Sequence, residues 1–348
     1  MGKFLKKFNS HSDYLAFTQT SDFIKPNVSH CVQENDVHYN PWTYAEEYLT
    51  FVAKENGTFT FTPKNSNVIS YSTDGGETWT EGNSVSVSNG DKVMWKGTMT
   101  PSTSYPQGIG TFSARGNFDV QGNVMSLLFS DNYKGQTDLT GKDYAFNSLF
   151  KENIKVVNAE NLSLSATTLA TYCYQSMFSG CSSLTIAPKL PATTLANSCY
   201  SAMFQDCTAL TTAPELPATT LVSWCYGGMF RGCTALTTAP ELPATTLVDY
   251  CYNGMFYGCT SLTTAPALPA TTLADYCYRY MFDGCTSLNY IKAMFTTTPS
   301  GSSPNYYTNN WVQGVSATGT FVKNSAATWT TTGVHGVPTG WTVETASE

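Results

Sequence analysis

Cys225-Tyr-Gly-Gly-Met-Phe-Arg-Gly-Cys233-Thr-Ala-Leu236-Thr-Thr-Ala-Pro240-Glu-Leu-Pro243-Ala-Thr-Thr-Leu247-Val-Asp-Tyr250 is one of five copies of a 26-residue unit that follow one another without a gap from Cys173 to about Tyr290. Cys173, Cys199, Cys225, Cys251 and Cys277 mark one phase of the unit, and Cys181, Cys207, Cys233, Cys259 and Cys285 mark another. Leu184, Leu210, Leu236, Leu262 and Leu288 recur in step, as do the Met-Phe pairs from Met177-Phe178 to Met281-Phe282. A fixed period of this length means units that cannot fold alone and bury a core by stacking on their neighbours.

The unit divides in two. Leu221, Cys225, Met229 and Phe230 lie at helical spacing, and the spacing predicts a helix of two to three turns. Gly232 stands where a left-handed helix end would need it; the same place holds Gly180, Gly258 and Gly284, but Asp206 in the second unit. Leu236-Thr-Thr-Ala-Pro240 predicts a brief strand, stopped by Pro240 and Pro243. The run Met255-Phe256-Tyr257-Gly258-Cys259-Thr260-Ser261-Leu262 resembles the BspA-like (Treponema-type) leucine-rich repeat, and the Ala-Pro-x-Leu-Pro-Ala-Thr-Thr-Leu variant resembles the form found in gut Bacteroidales and their phages. The resemblance covers roughly residues 146–292. It implies a solenoid with strands on one side and helices on the other, and a family made up mostly of bacterial surface adhesins.

The fold class expected is multidomain α+β. An N-terminal attachment arm takes residues 1–50 and an all-β, sandwich-like module residues 51–130. The leucine-rich-repeat solenoid takes 131–292, with a degenerate first coil in which Asn153 stands for a Cys. A small cap, punctuated by Trp311, Trp329 and Trp341, takes 293–348. The sandwich expectation rests on short alternating runs such as Phe59-Thr-Phe-Thr62 and Lys92-Val-Met-Trp-Lys96, separated by turn signals at Asp74-Gly75-Gly76 and Asn89-Gly90-Asp91. The repeat cysteines are expected free and buried. Neighbouring helices about 10 Å apart exceed the ~7 Å between Cα atoms that a disulfide tolerates, and no repeat holds a histidine to complete a zinc site.

Composition excludes several functions. Charged residues make up 12% of the 348, about half the usual share, and the net charge is −7. With arginines only at 115, 231 and 279, no basic patch for nucleic acid is present. No run of 18 apolar residues exists to insert into a membrane, and Met1–Phe8 lacks the apolar segment of a secretory signal. No nucleophile elbow, phosphate loop or zinc-protease motif occurs, so the expectation is a non-enzyme with no cofactor and no metal. Ser72-Thr-Asp74-Gly-Gly76-Glu-Thr78-Trp79 matches the Asp box of sialidases. A single copy reads better as a hairpin whose Asp74 bonds its own turn over Trp79, which leaves a glycosidase as the weakest reading. His30, Cys31 and His38 form too small a set for a metal site.

Function is therefore sought in surfaces. Comparing the five units with one another separates invariant core positions from variable ones. The variable ones are the residue before the first Cys and those three, four and seven later, a single outward stripe. Toward the C-terminal end the stripe becomes rich in hot-spot residue types: Trp224, Arg231, Tyr250, Tyr257, Tyr276, Arg279 and Tyr280. These are the candidate ligand contacts, and aromatic faces suit sugar rings. The Thr pairs from Thr211-Thr212 to Thr263-Thr264 form a second, lesser surface.

Phe4, Leu5, Phe8, Tyr39 and Trp42 are the candidate attachment residues of the arm. Its Phe-Leu-Lys-Lys-Phe and Val-His-Tyr-Asn-Pro segments resemble those of structural proteins of Bacteroides (crAss-like) phages. The resemblance implies a phage head fibre, decoration protein or tail-associated adhesin on the virion surface. Residues 1–50 would bind capsid or tail proteins, and the solenoid would meet a host glycan, mucus or protein. A homo-oligomer is expected, with the trimer common among fibres as the analogy. The alternative is an exported bacterial surface adhesin, which the missing signal segment disfavours.

Overall fold

The computed structural model describes residues 44–104, 107–304 and 306–346, together with the backbone of three short strands nearer the N-terminus. Of these three, β1 (Lys7–Phe8) runs parallel to β2 (Cys31–Glu34), and β3 (Val37–Tyr39) returns antiparallel to β2. The attachment candidates Phe4, Leu5 and Trp42, and the side chains of Phe8 and Tyr39, lie outside the described residues, as do His30 and the side chains of Cys31 and His38.

From β4 (Leu49–Ala53) onward the chain builds two facing sheets. One contains β5 (Gly57–Pro63), flanked by β8 (Ser84–Val87) and β10 (Gly110–Arg115). The other runs in the order β11 (Phe118–Asn123), β4, β9 (Lys92–Gly97), β6 (Ile69–Ser72) and β7 (Thr80–Glu81), antiparallel throughout. Strand alternation explains the core. In β5, Phe59 and Phe61 are buried while Thr58, Thr60 and Thr62 lie on the other face. Across the gap Phe59 meets Phe51 and Phe118, while Phe61 meets Phe112 on the neighbouring strand of its own sheet, and each such ring removed from water stabilises the fold by about 1.5–3 kcal/mol.

β11 also pairs in parallel with β12 (Val156–Asn158) and β13 (Leu162–Ser163), which belong to the first coil of the repeat region. Gly122 allows this junction: its φ is +78°, and a Cβ there would lie 1.9 Å from the Tyr48 carbonyl oxygen. Beyond β12 the ladder continues through parallel bridges at Asn158–Ile186, Thr212–Thr238 and Thr264–Tyr290. It ends in the parallel strands β14 (Tyr290–Ala293), β15 (Thr320–Lys323) and β16 (Thr342–Thr345).

The expected α+β class is wrong, and with it the helix in each coil. The α-helix among the described residues is α1 (Ser126–Phe129), outside the repeats. Where helices were expected, every second amide leaves its own coil. Tyr174, Ser176 and Phe178 donate to the carbonyls of Cys199, Ser201 and Met203 in the next coil. The amides between them, Gln175, Met177 and Ser179, close tight turns onto the carbonyl three residues back. An α-helix would direct each of these amides to the residue four back.

The backbone takes a positive φ at every fourth position: 172, 176 and 180, then 198, 202 and 206, and so on to 276, 280 and 284. A four-residue turn repeat and a 3.6-residue helix differ by about 0.4 residue per turn, so over two turns both place Leu221, Cys225 and Met229 on one side. The expected strands shrink for a related reason: each Thr-Thr segment makes single bridges, with prolines close behind.

Inside the stack, identical residues lie on identical residues. Tyr174, Tyr200, Tyr226, Tyr252 and Tyr278 form one column, with ring centroids 5.7–6.1 Å apart and planes within 10°. A second column runs from Phe150 to Phe282 at 5.1–5.8 Å. All ten repeat cysteines are buried and unpaired, as expected. The second cysteine of each unit donates its thiol to the carbonyl of a Phe one coil earlier, from Cys181 on Phe150 (3.0 Å) to Cys285 on Phe256 (3.0 Å). Burial pushes these thiols up, Cys181, Cys233 and Cys285 to about 12.

Both ends of the stack are grafted onto residues that are not repeats. At the first end, Phe112 of β10 packs on Phe150, and Asn153 donates from Nδ2 to the Phe112 carbonyl at 3.1 Å. Asn153 thus makes the bond that Cys181 makes one coil on. At the other end Trp311 covers Tyr278 and Phe282. No helix among the described residues is long and apolar enough to cross a membrane.

Candidate functional site

The first left-handed position of the coil is where the outer surface becomes aromatic, in every coil but the one that carries Ser198. Tyr144, Tyr172, Trp224, Tyr250 and Tyr276 occupy it with φ of 57–61°. Bulky residues avoid this conformation, at a cost on the order of 1 kcal/mol each. The other left-handed positions of a coil hold mostly Gly, Ser, Ala or Asp. Aromatic rings are therefore kept here against backbone preference, and strain of that kind points to use.

The rings form an outer column. Trp224 stacks on Tyr250 at 4.6 Å, Tyr250 on Tyr276 at 4.4 Å, and Tyr276 on Tyr306 at 5.1 Å, all within 11° of parallel. Tyr144 and Tyr172 form a separate pair at 4.7 Å. Trp224 is 38% exposed. Gly227 makes room for it, since a Cβ there would come within 2.6 Å of the indole. The Tyr276 hydroxyl is raised above its usual range, first by desolvation and then by its neighbours Tyr250 and Tyr306.

The remaining predicted residues gather beside this column. The Arg279 guanidinium lies over the rings of Tyr280 (4.6 Å) and Tyr276 (5.4 Å), and its Nη2 donates to the Tyr280 hydroxyl at 3.3 Å. Arg231 lies over Tyr257 at 4.4 Å. Burial raises the Asp283 carboxyl, and Arg231 partly offsets this. The seven predicted contacts thus fall into two groups, Trp224/Tyr250/Tyr276 with Arg279 and Tyr280, and Arg231 with Tyr257.

Tyr306 and Tyr144 were missed. Tyr306 comes 30 residues after Tyr276 instead of 26, so the period skips it. Backbone bonds from Tyr278, Tyr280 and Phe282 to the carbonyls of Tyr307, Asn309 and Trp311 show that the chain there still follows the coil path.

Two other regions are less specific. The Thr surface holds a shallow depression of about 280 Å³ between residues 185–187 and 211–214. A polar cleft of about 310 Å³ lies where the sandwich meets the first coil, with Lys64, Lys151 and Asn147 in its wall. The Lys64 ammonium donates to the Gln107 carbonyl. Its pKa is lowered by burial and then by Lys151.

The Asp74 motif is a turn lock. The carboxylate accepts from the Thr78 amide (3.0 Å), the Thr78 hydroxyl and the Ser72 hydroxyl (2.7 Å). Those bonds, Thr78 first, hold it well below the usual carboxylate range. Trp79 donates to the Gly76 carbonyl and packs edge-on against Tyr48. Among the described residues no group of three or more His, Cys, Asp or Glu is placed to hold a metal ion. The chain matches no protein-family model, no curated protein and no solved structure.

Proposed function

We propose that this protein is a non-enzymatic binding component of a bacteriophage particle. The arm ahead of β4 moors it to capsid or tail proteins; it was expected to reach residue 50, but Leu49 and Thr50 are buried in the sandwich sheet and Tyr48 packs on Trp79. The stacked coils hold the outer aromatic column toward a glycan on the host surface. The observation that carries the binding half is the column itself: stacked, strained aromatic residues at a position that varies between otherwise near-identical coils. A stiff stack suits the task. Its contacts are ordered before binding, so little side-chain entropy is lost when a ligand arrives. The mooring half rests on the resemblance of the arm to phage structural proteins.

Mass spectrometry of purified particles tests the location. The chain should be present at structural-protein abundance. Its absence there, with recovery in a bacterial outer-membrane fraction, overturns the proposal. A glycan array tests the surface. The combined Trp224→Ala, Tyr250→Ala, Tyr276→Ala variant should lose binding that the unaltered chain shows, and unchanged binding rejects the column as the contact.

A further inference from the structure

The outer column has one missing rung. Tyr172 closes the pair that begins at Tyr144, Trp224 opens the run that ends at Tyr306, and the coil between them carries Ser198 at the same position. Ser198 has the same left-handed backbone, φ 53°, so the site is shaped for a column residue and lacks only the ring. Tyr172 has one face covered by Tyr144, and Trp224 has one face covered by Tyr250. Among the described residues no ring stacks on the other face of either, and the Ser198 coil lies between them.

Adjacent β-bridged coils lie about 4.8 Å apart, so the two facing rings are separated by about 9.6 Å. A ring midway between them would lie about 4.8 Å from each, the separation that Tyr144 keeps from Tyr172 (4.7 Å) and Trp224 from Tyr250 (4.6 Å). The floor is polar and small. Ser198, only 7% exposed, lies at its base, and Ser201 donates from its hydroxyl to the Gly227 carbonyl at 3.2 Å.

We infer that the gap over Ser198 is a slot for a single pyranose ring, clamped between Tyr172 and Trp224. This rests on the glycan-binding reading above and adds the site and the sugar class. A chair is thicker than a flat aromatic ring because axial hydrogens project from both faces, so it fills this gap more fully. Its equatorial hydroxyls point outward in the ring plane, toward the serine floor and toward water. Clamping on both sides requires both faces to be apolar. That selects the all-equatorial sugars, of glucose or N-acetylglucosamine configuration. An axial hydroxyl, as in galactose or mannose, would be pressed against an aromatic face and left without a partner.

Saturation-transfer NMR on the full chain tests this, with methyl β-glucopyranoside, methyl N-acetyl-β-glucosaminide, methyl β-galactopyranoside and p-cresol as separate probes. The first two should receive transfer at the axial hydrogens of both ring faces, and bind about tenfold more tightly than the galactoside. Ser198→Tyr places in the slot the residue that Tyr172, Tyr250 and Tyr276 show is accepted there, so it should fold normally and abolish the transfer. Tyr306→Ala, at the far end of the column, should leave it unchanged.

Transfer to one face only, equal transfer in Ser198→Tyr, or binding of p-cresol without the glucosides would overturn the slot; the last would make its occupant an aromatic side chain of a protein. The glycan array separates the two proposals. If Ser198→Tyr binds array glycans as well as the unaltered chain, the slot fails and the wider reading stands. If the unaltered chain binds none, both fail.

Discussion

The sandwich and the stack are both filled with aromatic rings, yet the rings meet differently. In the sandwich Phe51 packs on Phe59 at 89°, on Phe112 at 76° and on Phe118 at 44°. In the stack the inner Tyr and Phe columns keep neighbouring planes within 13°. Edge-on and offset-parallel arrangements both satisfy the ring quadrupole; the sandwich reaches the edge-on form because its residues are unrelated in position and free to tilt. The stack repeats one coil by near-translation, so its rings are held to the parallel form. Packing geometry there is a property of the repeat, and single contacts adjust to it.

The same contrast applies to polar groups. A coil that repeats its core repeats every cost of that core. The hydroxyls of Tyr174, Tyr200 and Tyr226, three of the five residues of the inner tyrosine column, are buried without a hydrogen-bond partner. Among the described residues the sandwich side shows one such atom, Trp95 Nε1.

Alkaline pH should separate the two regions most strongly. The repeat thiols are raised from 9.0 to about 12 in Cys173, Cys181, Cys225, Cys233, Cys277 and Cys285, and Cys199, Cys207, Cys251 and Cys259 are raised as well. Their contribution to stability is fully present below the unfolded value and is lost as pH rises toward the folded one, because the unfolded chain then releases protons that the stack retains. The urea midpoint should therefore hold steady to about pH 8 and fall steeply between about pH 9 and 12. Thiol-reactive dyes should label the stack only as it unfolds. A flat profile to pH 11 would mean that the thiols are not sealed from water.

A smaller effect is expected at the junction. Asn153→Ala removes the donor to the buried Phe112 carbonyl and should cost about 1–3 kcal/mol by urea unfolding. Asn153→Cys, which supplies the donor that later coils use, should lose less. Equal losses would mean that the sandwich and the stack are held by packing alone. The smallest effect has the opposite sign. Tyr200→Phe deletes a hydroxyl that has no partner and should raise stability by about 1 kcal/mol. A clear loss would expose a buried water or partner bonded to that column.

The 26-residue period, the burial of the cysteines and the grouping of variable positions were legible because each is a statement about translation along the chain. The turn backbone was not. Its four-residue repeat copies a helical pattern over two turns, and the signal against a helix lies in Gly227, Gly228 and Gly232, residues that weaken a helix interior. Gly232 was read as a helix end, which absorbed the warning. Asn153 was noticed as standing in for a Cys, but its partner Phe112 lies 41 residues back on a sandwich strand, and nothing local points that far. The candidate contacts were legible as types and positions. Their stacking, and the gap at Ser198, became visible only once the coils lay on one another.

The grafts at the two ends give the molecule an adjustable length. Phe112 with Asn153 accepts the first coil and Trp311 closes the last, and neither touches the coils between. Unequal recombination between such near-identical units can add or remove 26 residues at a stroke and leave both fittings intact. Reach and valency are then set by copy number, and a lineage can lengthen or shorten this rod, or shift its missing rung, without inventing any new fold.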